Sequence, residues 1–408
     1  MKFLFIHQNF PAQFKNIAPQ LARLGHEVVA LTPRDLGTKN WGGVKIVNYA
    51  IQQASGTNLH RWLTDFETKT IRGEACFLAA LKLRKEGFTP DRIIAHPGWG
   101  ESLFLKEVWP KARLGIYCEF FYNLEGSDIG FDPEHSAVHE DEGCRIRMRN
   151  VNNFMHFDIA DAGLSPTHWQ KSTFPNPFRN KISVVHEGID TDILKPNEQV
   201  KLKIGDKVEV RKGDPVITFV NRNLEPYRGY HIFMRALPEV LKANPEARVL
   251  IVGGDEVSYG SAPPGGQSWK DIYLDEVRPK LSPLEMSRIH FLGKLPYDQF
   301  VSVMQVSMVH VYLTYPFVLS WSLLEAMSVG CSIIASDTQP VREAIEPNQN
   351  GILRDFFDTQ GFSSSMSDLL DNAATCIPLG HNARESIINN YDLRNICLPA
   401  AITWCSNF

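Results

Sequence analysis

Short apolar runs alternate with longer amphipathic stretches from the first residues onward, and this alternation predicts strands and helices in turn. Lys2–Ile6 is an apolar run of strand length. Residues 11–24 follow as a helix opened by Pro11, a residue tolerated in a first helical turn. Gly25 ends that helix, and residues 28–32 form the next strand of a right-handed βαβ unit. A long helix is expected over residues 59–85, then strands at Arg92–Ala95 and residues 114–117. The alternation resumes beyond residue 216. An apolar strand ends at Val220, a helix spans residues 231–241, and residues 249–252 are a buried strand. A short helix is then stopped at Gly330 before another buried strand.

Between these blocks the pattern changes. Residues 122–150 turn polar and read as an excursion from the first block. The interdomain link falls between residues 175 and 196, and residues 197–214 alternate around Gly205 and Gly213 as a hairpin-like insertion. Residues 258–269 are rich in Gly and Pro and read as a mobile flap. The expected organisation is therefore two α/β domains, residues 1–180 and 190–380. The helices of residues 385–408 are expected to return to the first domain.

Composition narrows the class. A chain of 408 residues is too long for one ordinary domain and fits two, each with a sizeable core. Its 43% hydrophobic and 22% charged residues are those of a soluble globular protein. A net charge of −4, without a large Lys/Arg cluster, argues against nucleic-acid binding. No apolar run reaches the roughly 18 residues of a membrane span, and the apolar start is too short for a signal peptide. Seven scattered cysteines without a Cys-x-x-Cys pair point to free thiols in a reducing cytoplasm. Peripheral contact with the inner face of a membrane stays compatible with this, although no strongly basic amphipathic helix is visible.

The chemistry concentrates in two segments. From Tyr315 to Asp337 a loop leads into a helix with Glu325 one turn inside it. A helix N-terminus suits phosphate, and a nearby carboxylate can accept two hydrogen bonds from a ribose diol. The plainer reading of Glu325 is a residue that complements the helix dipole. The second segment shifts that balance. Arg222 and Arg228 flank a turn carrying Pro226 at the carboxyl end of a strand, where α/β folds bind ligands. Their planar guanidinium groups match diphosphate oxygens in forked fashion. A third cluster, His135 and His139, has metal-ligand spacing on a helix, but no third ligand has characteristic spacing. A solvated acidic surface is the simpler reading there.

These segments resemble the family 4 glycosyltransferases, retaining enzymes of the GT-B architecture, in which two Rossmann-like domains face across a deep cleft. Other landmarks fall in the family's order: residues 90–96, 182–190, 249–255 and 290–293. The resemblance implies that Arg222 and Arg228 bind the donor diphosphate, with Arg228 standing where Lys is usual, and that Glu325 holds the ribose. Further donor contacts are implied for Asn221, Gly253, Gly254, Leu319, Ser320 and Trp321. Two departures stand out. Phe317 occupies the position of a glutamate that contacts the transferred sugar, and the glycine-rich turn after it has become Val318-Leu319-Ser320-Trp321. His186 and Glu187 are the expected substitutes for that carboxylate. On the acceptor side Glu119 stands where the family often has a His and is expected to orient the acceptor hydroxyl. His7, His96 and Glu101 are expected to shape the same pocket, although the loop after His7 lacks the family's glycines.

The implied function is transfer from a UDP-, GDP- or dTDP-sugar to a hydroxyl of a glycan, lipid-linked or protein acceptor. Residues 96–101 and 315–322 are similar to a bacterial subgroup linked to surface polysaccharide synthesis. No cofactor and no metal are expected, because cationic side chains neutralise the diphosphate. A degenerate binding subunit is the rival reading, favoured by Phe317. A nucleotide-sugar epimerase would need an acid/base constellation that the chain does not display, and no carboxylate pair suggests hydrolysis.

Overall fold

The computed structural model describes residues 1–135, 138–205 and 208–408, which form two compact units. Among the described residues, the sheet of the first unit has eight strands. They are β1 (Lys2–Ile6), β2 (Glu27–Thr32), β3 (Asn40–Trp41), β4 (Val44–Asn48), β5 (Arg92–Ala95), β6 (Arg113–Tyr117), β7 (Ala162–Ser165) and β8 (Ile182–Val184). Their spatial order is β3-β4-β2-β1-β5-β6-β7-β8, parallel except at the β3–β4 edge. A central parallel strand is covered on both faces, so it has no polar side. In β1, Phe3 and Phe5 enter one core while Leu4 and Ile6 enter the other, all fully buried.

Two helices differ from the sequence expectation. Residues 11–24 divide into a 3-10 turn, Ala12–Phe14, and the helix Ile17–Arg23, which places Pro19 in a first turn where its missing N–H costs nothing. The long helix starts at Thr64 instead of residue 59. The chain end packs on the first unit through the helix Leu398–Asn407. Gly115 on β6 makes room for it, since a Cβ there would lie 2.5 Å from Phe408 Cζ and 2.6 Å from Trp404 Cη2. The preceding helix Ala373–Tyr391 belongs to the second unit, so the segment that returns to the first is Arg394–Phe408.

The second unit starts its continuous chain at Ile189 and also takes up residues 130–135, which the polar composition of residues 122–150 assigned to the first domain. Phe131 is the reason, because its ring stacks on Phe357 and packs against Tyr315 and Phe356. A hairpin pairs β9 (Lys201–Ile204) with β10 (Val208–Arg211), as the alternation predicts, and its residues 206–207 lie outside the described chain. The main sheet comprises β11 (Val216–Asn223), β12 (Arg248–Gly254), β13 (Ile289–Gly293), β14 (Val309–Tyr312), β15 (Ser332–Ser336) and β16 (Ile352–Arg354). All are parallel, in the order β13-β12-β11-β14-β15-β16. Among the described residues no disulfide joins the cysteines, and no helix is long and apolar enough to cross a membrane.

The fit at Gly115 gives a direct test. Gly115→Val is expected to destabilise the protein by about 1–3 kcal/mol through overpacking, read as a lower urea midpoint. An unchanged midpoint would mean that the terminal helix does not pack there.

Candidate active site

In both sheets the strand order reverses once, between β1 and β5 and between β11 and β14. At such a switch point adjacent loops leave the carboxyl ends in opposite directions and open a crevice for a ligand. His7 and His96 follow the two strands at the first reversal, and Arg222 and Arg228 lie at and just beyond the end of β11, at the second.

In the second unit Arg222 lies near the end of β11, exposed, with no acid or hydrogen-bond partner among the described residues. The chain then turns through Pro226–Arg228 to Gly229 (φ 69°) and enters the helix Tyr230–Ala243. A side chain at Gly229 would collide with Leu313 just beyond β14, so only glycine lets the two loops approach this closely. That approach brings Arg228 to the switch point. Its Nη1 donates to Thr314 Oγ1 at 2.6 Å, the Val318 carbonyl at 3.2 Å and Tyr312 Oη at 3.3 Å. The guanidinium is 4% exposed, and no carboxylate lies within ion-pair distance among the described residues.

The helix Trp321–Ser328 starts beside this group. Ser320 caps it, its hydroxyl accepting from Ser322 N–H at 3.3 Å while its own N–H donates to Tyr312 Oη at 3.0 Å. Leu319 is buried, Trp321 is half-buried, and Glu325 accepts from Tyr297 Oη at 3.1 Å. Tyr297 opens the helix after residues 293–296, so it joins Glu325 to the loop beyond β13. Beneath that loop is a shallow cavity of about 540 Å³. Gly253, Gly254, Phe291, Gly293 and Lys294 are among its lining residues. A Cβ at Gly253 would lie 3.0 Å from the Asn221 carbonyl oxygen, and one at Gly254 would strike Lys294. Arg222, Arg228 and Glu325 do not line this cavity themselves.

Residues 258–260, expected within a flap, are anchored. The buried Glu225 carboxylate accepts the N–H groups of Ser258, Tyr259 and Gly260 at 3.1–3.2 Å. This sets the Tyr259 ring 5.0 Å from the Arg228 guanidinium and 5.3 Å from the Phe317 ring. Tyr227 meets Phe317 edge-on at 5.2 Å. Phe317 thus belongs to an aromatic wall beside Arg228. Tyr259, Tyr297 and Tyr312 are invisible as site residues in the sequence, because only the fold links them to the arginine loop, and the part Glu225 plays within that loop depends on its contact with residues 258–260.

In the first unit His7 follows β1, His96 follows β5 and Glu119 follows β6, on neighbouring strands. The His7 and His96 rings are 5.1 Å apart, with Trp99 5.0 Å from His7. His96 Nε2 is 3.4 Å from Glu119 Oε2, and Gln13 Nε2 donates to Glu119 Oε1 at 3.3 Å. Burial acts to raise the Glu119 carboxyl, but His96 and Gln13 outweigh it and hold it below the usual carboxylate range. His96 and Glu119 line a small cavity of about 50 Å³ with Lys69, Tyr122, Arg149 and Asn152.

Glu101 departs from expectation. It is fully buried, with Arg72 Nη1 3.6 Å away, and burial raises its carboxyl. It does not line that cavity, because the turn at Gly100 (φ 93°) directs the chain inward. His186 and Glu187 meet each other, Nε2 to Oε2 at 3.5 Å, and His186 Nδ1 accepts from Gly188 N–H at 3.0 Å. His139 is exposed, and among the described residues it belongs to no cluster of metal-ligating groups with His135.

Comparison with known proteins agrees with this architecture. Residues 24–194 match the family described as "Glycosyl transferase family 4 group", and residues 200–386 match "Glycosyl transferases group 1". The chain belongs to the family 4 type of glycosyltransferases with the GT-B fold. The D-inositol 3-phosphate glycosyltransferase of Corynebacterium efficiens is 27% identical over 52% of this chain and 47% of its own length. The chain thus spans about half the length of that relative. A GDP-mannose-dependent alpha-(1-6)-phosphatidylinositol monomannoside mannosyltransferase of Mycolicibacterium smegmatis is 22% identical over 72% of each chain. HepE of Anabaena, solved in complex with UDP-glucose, superposes over 100% of both chains with a TM-score of 0.68 at 14% identity. Sucrose-phosphate synthase of Thermosynechococcus elongatus has a TM-score of 0.70 at 16% identity, covering 100% of this chain and 98% of that one.

The buried histidines fix a pH dependence. Burial lowers His7 and His310 to about 3, and His156 and His186 to about 4. Below about pH 6.5 the unfolded chain takes up protons at these positions that the folded chain refuses. Stability is therefore full above that pH and is lost as pH falls toward the folded values. The thermal midpoint is expected to drop steadily from pH 6.5 to 4.5, with a shallower slope in His7→Asn. A flat midpoint across that window would contradict the neutral, buried state.

Proposed function

We propose that the protein is a retaining glycosyltransferase that moves a sugar from a nucleotide diphosphate to a hydroxyl of a glycan, lipid-linked or protein acceptor. The observation that carries this reading is Arg228, a buried cation at a switch point without a carboxylate partner among the described residues. A buried charge is costly unless paired, and a diphosphate supplies the missing counter-charge. Arg222 adds a second, exposed guanidinium on the same loop. Glu325 holds the ribose, and the base lies near the loop beyond β13.

In the reaction the bond between the anomeric carbon and the diphosphate oxygen breaks, and a bond to the acceptor oxygen forms on the same face. Negative charge grows on the departing phosphate, where the two arginines and the start of the helix Trp321–Ser328 stabilise it. The acceptor proton passes to that phosphate, while Glu119, held by His96 and Gln13, orients the acceptor hydroxyl. His186 and Glu187 contact the transferred sugar. The same cations make a catalytic metal unnecessary. The role is surface polysaccharide synthesis, in the cytoplasm or at the inner face of the membrane.

A second reading has its own support. Phe317 packs in an aromatic wall where the resemblance calls for a carboxylate, which suits a binding subunit that no longer transfers sugar.

Nucleotide release from UDP-, GDP- and dTDP-glucose, followed with a panel of acceptors, separates the two. UDP-glucose is the first donor to test, given the HepE complex. Arg222→Ala and Arg228→Ala are each expected to lower turnover by about 10²–10³-fold. Glu187→Ala should lower turnover far more than nucleotide affinity. Nucleotide binding without turnover on any acceptor would favour the binding subunit, and no binding at all would overturn both readings.

A further inference from the structure

We propose that Asp132, His135 and His231 bind a zinc ion in the second unit, separate from the transfer chemistry. One carboxylate oxygen of Asp132 and one imidazole nitrogen of each histidine lie within 4.8 Å of one another. Asp132 and His231 are 1% and 0% exposed, and Nδ1 of His231 has no hydrogen-bond partner among the described residues. Leaving a buried polar group unsatisfied is expensive. The contact between the two residues sharpens the point. Asp132 Oδ2 is 3.1 Å from His231 Nε2. Two ligands of one tetrahedral zinc, each about 2.0–2.1 Å from the ion, sit roughly 3.3 Å apart with lone pairs that converge instead of facing each other. The 3.1 Å separation is close to that spacing, so the two side chains can share one ion.

The surroundings fit. Tyr315 Oη donates to Asp132 Oδ2 at 2.5 Å, and Tyr273 Oη is 2.6 Å from His135 Nε2. Such outer contacts fix the direction of metal ligands. Glu134 is engaged elsewhere, because Arg235 binds both of its oxygens at 2.8 Å. Two imidazoles and one carboxylate suit zinc, with a fourth position left for water. The ion would tie residues 130–135 to the first turn of the helix Tyr230–Ala243, which begins immediately after the Arg228 loop. Through Tyr315 it would also brace the segment leading to Glu325.

The test is metal content and stability of the full chain, stripped with a chelator, incubated with Zn²⁺ and desalted. The wild type is expected to retain one equivalent and to melt at a higher temperature than the stripped protein. Both effects should be lost in His231→Gln and Asp132→Asn. His135→Gln replaces the partly exposed ligand and preserves the core, so it decides the matter if the buried variants fail to fold. Loading with Co²⁺ should give the visible absorption of a four-coordinate ion in the wild type alone. Zinc-free wild type, or equal zinc in wild type and His135→Gln, would overturn the site and leave a buried Asp132–His231 ion pair.

Discussion

A positive charge removed from water, without a negative partner among the described residues, is the constraint around which the second unit is arranged. Arg228 is 4% exposed and satisfies hydrogen bonds with a threonine, a tyrosine and a carbonyl, none of which carries charge. Neutral partners orient the guanidinium without cancelling its field, so the site remains attractive to an anion. Gly229 makes the arrangement possible by letting the arginine loop press against Leu313. Glu225, two residues after Asn223, spends its own charge on three backbone N–H groups of the 258–260 segment instead of on Arg228. The nearest acid in sequence is thereby kept from occupying the place of a ligand.

The parallel sheets account for where everything else stands. Each has a single reversal of strand order, and each reversal receives loops bearing polar or charged side chains. In the first unit these are His7, His96 and Glu119, a compact set held together by Gln13 and Trp99. In the second they are Arg222, Arg228 and the loop that leads to Glu325. Membership of the family 4 type of glycosyltransferases is consistent with this use of both units.

Strands were the most legible part of the sequence. Buried parallel strands are short unbroken apolar runs, and Arg92–Ala95 and Lys2–Ile6 read directly. Helix starts were less so, because the apolar Leu59, Trp62 and Leu63 extend the pattern ahead of the helix that starts at Thr64. Residues 130–135 were misassigned because one aromatic ring, Phe131, decides their attachment within a polar stretch. Among site residues, arginines and glutamates at strand ends stood out. Glu101 did not behave as its neighbours suggested, since a left-handed glycine turns it into the core. The roles of Glu225 and Tyr259 could not be read, because they depend on contacts between loops 33 to 35 residues apart.

Arg228 is the group whose response to a diphosphate decides whether this site binds a nucleotide sugar. The most direct measurement is the thermal stabilisation given by uridine, UMP and UDP at equal concentration, in the wild type and in Arg228→Gln. The wild type should gain little from uridine and most from UDP, and the variant should lose the difference between them. Equal stabilisation by uridine and UDP, or a UDP effect unchanged in the variant, would contradict a diphosphate site built on that buried charge.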